Sequence, residues 1–230
     1  MKKEKILVVA AHPDDEVFGC GGTLLKHSKE KSEIHLLFVF EGCSPRYTNK
    51  QDPNLLKDIE KRERSAIQVS KKIKAKSIKF LRNQNFLYEG DFLLNLTKEV
   101  YGIISKISPT IIYTHSAKDL NRDHRICNEI VLTATRPTTN FLLEKLITFE
   151  IPSSTEWSHG TLGNFTPNYF VNITNYFKKK LQLLKLYNYE LRPSPHPRSI
   201  ENLIAQAKLT GSISGFKYSE KFEIIKILNK

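Results

Sequence analysis

His12-Pro13-Asp14-Asp15-Glu16 packs an imidazole and three carboxylates into five residues. That density of negative charge is unfavourable unless a cation or a tight set of hydrogen bonds compensates it. Pro13 stiffens the turn, so the residues on either side of it can project towards one point. A divalent ion held by imidazole and carboxylate, without sulfur, matches the ligand chemistry of catalytic zinc. A second segment, Tyr113-Thr114-His115-Ser116-Ala117-Lys118-Asp119-Leu120-Asn121-Arg122-Asp123-His124, supplies two histidines and two aspartates. A third ligand is expected from it, and spacing alone leaves His115 and His124 both open. The bland alternative is an acidic surface turn with a stray histidine. It fits poorly with a segment that follows an apolar run and precedes Gly19-Cys20-Gly21-Gly22.

Elements that end in the right place must position these residues. Ile6–Ala11 and Ile34–Phe40 are short apolar runs of the kind that form buried strands. Ser77–Leu81 and Thr110–Thr114 read as further strands. Between them, helical spacing is expected from Gly21 to Lys29, Asp58 to Lys74, Leu93 to Ile107 and His124 to Thr135. Strands alternating with helices predict an α/β fold, with a mostly parallel sheet flanked by helices. Both acidic segments would then lie at the carboxyl ends of strands, where open α/β sheets bind ligands. Beyond Pro137, Leu146–Ile151 and Tyr169–Ile173 read as strands and Asn175–Leu191 as a helix. Two closing helices are expected over Ser199–Leu209 and Ser219–Leu228. With no repeat, low-complexity tract or linker, residues 1–230 are expected to form a single domain.

Composition narrows the classes. Hydrophobic content of 40% and charged content of 26% are those of an ordinary globular chain. The three cysteines, Cys20, Cys43 and Cys127, are widely spaced and form neither a disulfide framework nor a thiolate metal site. No apolar run approaches the length of a membrane span. The charged start followed by Ile6–Ala10 reads as a first strand rather than a secretion signal, so a cytoplasmic location is expected. The net charge of +12 favours acidic partners. The lysines are dispersed without an aromatic-interleaved stripe, which makes nucleic acid a poor candidate and a phosphate- or nucleotide-linked substrate a better one.

His-Pro-Asp-Asp-Glu with its following glycines, together with the downstream Ile112-Tyr113-x-His115 and Asp119-x-Asn121-x-Asp123-His124, resembles the LmbE-like, or PIG-L, N-deacetylases. Later segments resemble one bacterial branch of that family: Thr133–Pro137, Ser153–Trp157, Phe165–Asn168, Pro195–Ser199 and Tyr218–Phe222. The resemblance implies a Rossmann-like fold, a Zn²⁺ cofactor and an N-acetylated sugar substrate. It implies His12, Asp15 and His124 as metal ligands, with Asp14 as the general base towards the attacking water. Asp123, adjacent to a ligand histidine, is expected to orient it or to cap the helix beginning there.

One position departs from the family. Several members carry a histidine three residues before the ligand histidine, where this chain has Asn121. An amide can donate a hydrogen bond to an oxyanion but cannot protonate a leaving amine. His196, framed by Pro195 and Pro197, is favoured as proton donor, with His115 and Asp14 as alternatives. Arg62 stands where the family places a substrate-contacting arginine, but the glycine expected twelve residues on is Lys74, and Arg64 is a rival. His115, Asn121 and Arg198 complete the expected substrate contacts, and Glu156 and Glu220 are weaker ones. Close helix–strand packing is the expected reason for the glycines. Two other readings remain: a metal-dependent phosphoesterase, and a sugar-nucleotide binding protein of the same fold with weakened catalysis.

Overall fold

The computed structural model describes residues 4–49, 51–83, 91–137 and 143–229. Strands β1 (Lys5–Ala10), β2 (Glu33–Phe40), β3 (Ser77–Asn83), β4 (Ile111–His115) and β5 (Lys145–Phe149) pair in parallel in the order β3-β2-β1-β4-β5. The sheet continues through β7 (Ser219–Ile227), antiparallel to β5, to the edge strand β6 (Tyr169–Asn172), antiparallel to β7. The interior strands are apolar without interruption because both faces of the sheet are covered. Along β1, Ile6, Val8 and Ala10 enter one core and Leu7 and Val9 the other. Helices α1 (Asp15–Lys29), α2 (Pro53–Lys72), α5 (Phe177–Leu184) and α6 (Ile200–Ser214) cover the first face. Helices α3 (Phe92–Ile107) and α4 (Arg122–Ala134) cover the second. This is the expected α/β, Rossmann-like arrangement. The chain winds from β1 out to β3 and then crosses back to β4, so a crevice opens above the carboxyl ends of β1 and β4.

Local chemistry explains most boundaries. Asp52 caps α2 by accepting from Asn54 N, with Pro53 in the first helical position. Helix α6 begins at Ser199, whose side chain accepts from Asn202 N, and ends at Gly215 in the left-handed region. All three cysteines are buried and free. The glycines serve packing, as expected: a Cβ on Gly19 would enter the Phe149 ring, and one on Gly22 would lie 2.9 Å from Ile173 Cδ1.

Three expectations fail here. Ser219–Ile227 is strand β7, not a helix: Phe222, Ile224, Ile225 and Ile227 are aromatic or β-branched, and the segment is gripped between β5 and β6. Helix α1 starts at Asp15 rather than Gly21, so the acidic turn is itself the first turn of a helix. The helix expected over Asn175–Leu191 is α5 alone, followed by a 3₁₀ segment, Lys185–Glu190, broken at Tyr187.

Candidate metal centre

His12 leaves the end of β1 and Asp15 opens α1, while His124 lies in the first turn of α4, after β4. One ligand atom from each of these residues lies within 4.8 Å of the other two. Asp15 Oδ2 is 3.5 Å from His12 Nδ1 and 3.4 Å from His124 Nε2. Ligand bonds of about 2.0–2.2 Å at tetrahedral angles separate their atoms by roughly 3.4 Å, so both distances are edges of such a tetrahedron. All three residues are buried. Asp15 Oδ1 and His124 Nε2, both buried, have no hydrogen-bond partner among the described residues. Buried polar atoms left in this way call for an ion or water, and an imidazole–carboxylate–imidazole set fits zinc.

The other nitrogen of each histidine in the cluster faces a carboxylate. His12 Nε2 is hydrogen-bonded to Asp123 Oδ2 at 2.8 Å, whereas His124 Nδ1 lies 3.1 Å from Asp119 Oδ2 as an ion-pair contact without hydrogen-bond geometry. Such outer carboxylates fix the tautomer and the ring orientation of metal-binding histidines. The expectation for Asp123 is corrected in its partner, since its carboxylate serves His12 rather than the adjacent His124. Neither does Asp123 cap α4: Asn121 does, accepting from Asp123 N at 2.9 Å. Asp119, with no assigned role at the level of sequence, is fully buried. It is fixed by Ser154 Oγ, by Thr155 Oγ1 at 2.7 Å and by Asn121 N at 2.8 Å.

The electrostatics follow from this crowding. Burial opposes the charge of Asp15, but His124 and His115 outweigh it and hold the carboxyl well below the usual range. Burial would likewise discharge His124, yet Asp15 and Asp119 raise its pKa to about 10. Burial and the neighbouring His124 lower His115 to about 4, so that ring is neutral near pH 7.

His115 is not brought to a substrate surface. It is fully buried, stacks on His124 with centroids 4.0 Å apart, and its Nε2 accepts from Ala11 N at 2.8 Å. That bond occupies the Nε2 lone pair, and the group of possible metal-holding side chains among the described residues contains His124 and not His115.

Asp14 adopts a φ of 130°, a strained conformation for a residue with a side chain. Its N–H donates to Glu16 Oε2 at 2.9 Å, and Glu16 Oε1 accepts from Tyr187 Oη at 2.7 Å. Asp14 Oδ2 accepts from Arg62 Nη2 at 2.9 Å and Arg198 Nη1 at 3.3 Å, whereas the buried Oδ1 has no partner among the described residues. Burial pushes this carboxyl up, and Arg62 draws it back in part. Arg62 is 3% exposed and lines the cavity beside the cluster, whereas Arg64 lies on the surface beside Glu60. Lys74, where the family has glycine, takes a φ of 56°, the left-handed conformation that glycine adopts without strain.

A cavity of about 440 Å³ adjoins the cluster, lined by His12, Gly42, Arg46, Arg62, Asn121, Arg122, Asp123 and Arg198 among others. Gly42 was also silent in the sequence. With a φ of 72°, it gives its carbonyl to Arg62 Nη1, and a Cβ there would lie 2.6 Å from His12 Cδ2. His196 does not line this cavity: its Nδ1 accepts from Arg198 N at 3.0 Å and its ring meets Trp157 edge-on. Glu220 is spent on Gly22 N, Thr23 and Lys180, and Glu156 on Ser153 N.

A Rossmann-like sheet with a His-Asp-His cluster at its switch point defines a class of candidate metallohydrolases. Residues 7–135 match the GlcNAc-PI de-N-acetylase (PIG-L) family, and the chain belongs to it. A Bacillus subtilis relative, a probable N-acetyl-α-D-glucosaminyl L-malate deacetylase, is 26% identical over 142 residues. That match takes in 57% of this chain and 61% of the relative, so the chain spans under two thirds of that protein's length. Among solved structures, N,N'-diacetylchitobiose deacetylase from Pyrococcus horikoshii superposes with a TM-score of 0.76 at 20% identity, over 97% of this chain and 84% of that one. The 4-carboxy-2-hydroxymuconate hydratase GalB from Pseudomonas putida gives 0.77 at 19% identity, over 99% and 98%. Likeness at these identities is one of fold, and the fold alone serves two different reactions.

Proposed function

We propose that this protein is a zinc-dependent hydrolase that removes an acetyl group from an N-acetylated amino sugar. The observation that carries this reading is the approach of Asp15 Oδ2 to 3.5 Å from His12 Nδ1 and 3.4 Å from His124 Nε2, beside a buried carboxylate oxygen, Asp14 Oδ1, that no group among the described residues engages. Zinc held by these three residues would supply a Lewis acid for water and for an amide carbonyl. Asp14 takes a proton from the attacking water at Oδ1, while Arg62 and Arg198 on Oδ2 hold the carboxylate in place. The water oxygen bonds to the amide carbon and the C–N bond breaks. Asp14 then returns its proton to the departing amine nitrogen, leaving acetate and a free amino sugar. This assigns to Asp14 both transfers, one of which the sequence had favoured for His196. Nδ1 of His196 accepts from Arg198 N, and His196 is not among the residues lining the cavity.

The test is acetate release from N-acetylhexosamines, their phosphates and their nucleotide conjugates, with metal analysis of the same samples. Asp14→Asn is expected to keep its zinc and to lose about 10²–10⁴-fold in kcat. His196→Ala is expected to lose less than about tenfold, since it holds no proton in this scheme. Full activity in Asp14→Asn would remove the assigned base. A chromogenic phosphate ester assayed in parallel separates this reading from a phosphoesterase.

A further inference from the structure

Helix α4 lies over β1 and β4. Beyond it a cavity of about 260 Å³ opens between Asn128 and Leu132 of α4, Thr148 of β5 and Glu223 of β7. It shares no lining residue with the cavity beside the metal cluster. Three of its polar residues are buried: Glu223 is 6% exposed, Asn128 3% and Thr148 1%. Glu223 Oε1 accepts from Lys118 Nζ at 2.7 Å and from Thr166 N. Asn128 Nδ2 donates to the His115 carbonyl at 2.8 Å. A carbonyl can only accept, which fixes how this amide is turned and leaves Oδ1 over. Glu223 Oε2 and Asn128 Oδ1 accept no hydrogen bond among the described residues, and neither atom is sealed from the surface. Buried polar residues seldom leave two acceptors unused in one cavity. Lys118 already balances the charge of Glu223, so a cation would gain little here. Asn168 Oδ1 accepts from Ile224 N at 2.8 Å, which leaves the Asn168 N–H groups as donors at the mouth. Leu132 and Ile225, both exposed, add apolar surface.

We propose that this cavity is a second carbohydrate site, separate from the metal cluster, that holds one neutral sugar ring by its hydroxyls. A hydroxyl both donates and accepts, so it answers the two unused acceptors and the donors at the mouth alike. The C–H face of a sugar ring suits Leu132 and Ile225. The volume lies below the roughly 300–1,000 Å³ of pockets for drug-sized ligands, which limits the occupant to a single ring. Nothing in this assignment depends on zinc or on deacetylation.

Nitrogen-15 NMR of the full chain in chelator, titrated with glucose, locates the site without turnover. Saturable shifts are expected at Thr166, Glu223 and the Asn128 side-chain amide, whether or not Gly42 in the other cavity also moves. Glucose with every hydroxyl methylated keeps its acceptors and loses its donors, and should bind at least tenfold more weakly. In Glu223→Gln, Lys118 and Thr166 N retain the amide oxygen, so an N–H₂ group replaces the unused acceptor and affinity should fall tenfold or more. Leu132→Trp and Ile225→Trp fill the cavity from exposed positions and should each abolish the shifts with Tm unchanged. These two variants carry the test if Glu223→Gln does not fold. Shifts at Gly42 alone, or none at all, would overturn the proposal. So would methylated glucose binding as well as glucose, or glucose shifts that survive both tryptophan variants. Glucosamine binding tenfold more tightly than glucose would overturn it too, by making the ligand a cation rather than a neutral sugar.

Discussion

Each histidine of the cluster works through two atoms, one towards the metal position and one towards a carboxylate, and the second contact was harder to foresee. His12, Asp15 and His124 are legible because imidazole and carboxylate are packed into two short motifs. Asp119 is not, because its contact with His124 depends on the loop after β4 folding back on Ser154 and Thr155. Asp123 was legible as a residue but not in its partner. Asp119→Asn and Asp123→Asn should each weaken zinc about 10–100-fold, read by competition with a chromophoric chelator. Unchanged affinity in both would reduce these carboxylates to packing. A second contact of this kind supports Asp14, whose strained backbone is held by Glu16 and, through it, by Tyr187. Burial pushes the Glu16 carboxyl up to about 8, so its place depends on those bonds. Tyr187→Phe deletes one donor to a buried carboxyl, at a cost of about 1–3 kcal/mol in stability. If the contact positions Asp14, kcat falls while KM and zinc content stay level. A loss confined to thermal stability would make the tyrosine merely structural.

The parallel strands could be read as continuous apolar runs because helices cover both of their faces, and β7 could not, because neighbours distant in sequence decide its conformation. Tyr218-Ser-Glu-Lys-Phe-Glu-Ile-Ile-Lys-Ile227 carries mixed signals, and pairing with β5 and β6 settles them. The same strand also completes α1. That helix is broken at Cys20, whose backbone angles are not helical, and the break leaves amides of its second half without helical partners. Glu220 accepts from Gly22 N at 2.8 Å, Thr23 N at 2.7 Å and Thr23 Oγ1 at 2.6 Å, and from Lys180 Nζ at 2.7 Å. A strand at the far end of the chain thus caps the helix that presents Asp15, and an α5 lysine balances the charge. Glu220→Ala strands a buried ammonium and exposes those amides, for an expected loss of about 3–5 kcal/mol, measured by denaturant unfolding. A loss below about 1 kcal/mol would show that the kinked helix does not need its distant cap.

Across the whole molecule, the site sits where β1 and β4 diverge, and its acidic groups gather in an otherwise strongly basic chain. Asp14, Asp15, Asp119 and Asp123 are all buried, and burying so much charge opposes folding unless it is compensated. Arginines answer for Asp14, and histidines in contact with Asp15, Asp119 and Asp123 answer for the remainder. Zinc at the cluster would add its binding energy to folding, because the unfolded chain has no such site. At a free concentration one hundred times Kd, that linkage amounts to about 2.7 kcal/mol. For a chain of this size, each kcal/mol moves Tm by about 2–4 °C. Chelation should therefore lower Tm by roughly 5–10 °C, and readdition of zinc should restore it. The shift should shrink in His124→Ala, which removes a ligand, and remain in Arg46→Gln, which does not. A Tm indifferent to chelator in a sample shown to contain zinc would mean that the metal lies elsewhere, and the assignment of His12, Asp15 and His124 would fall with it.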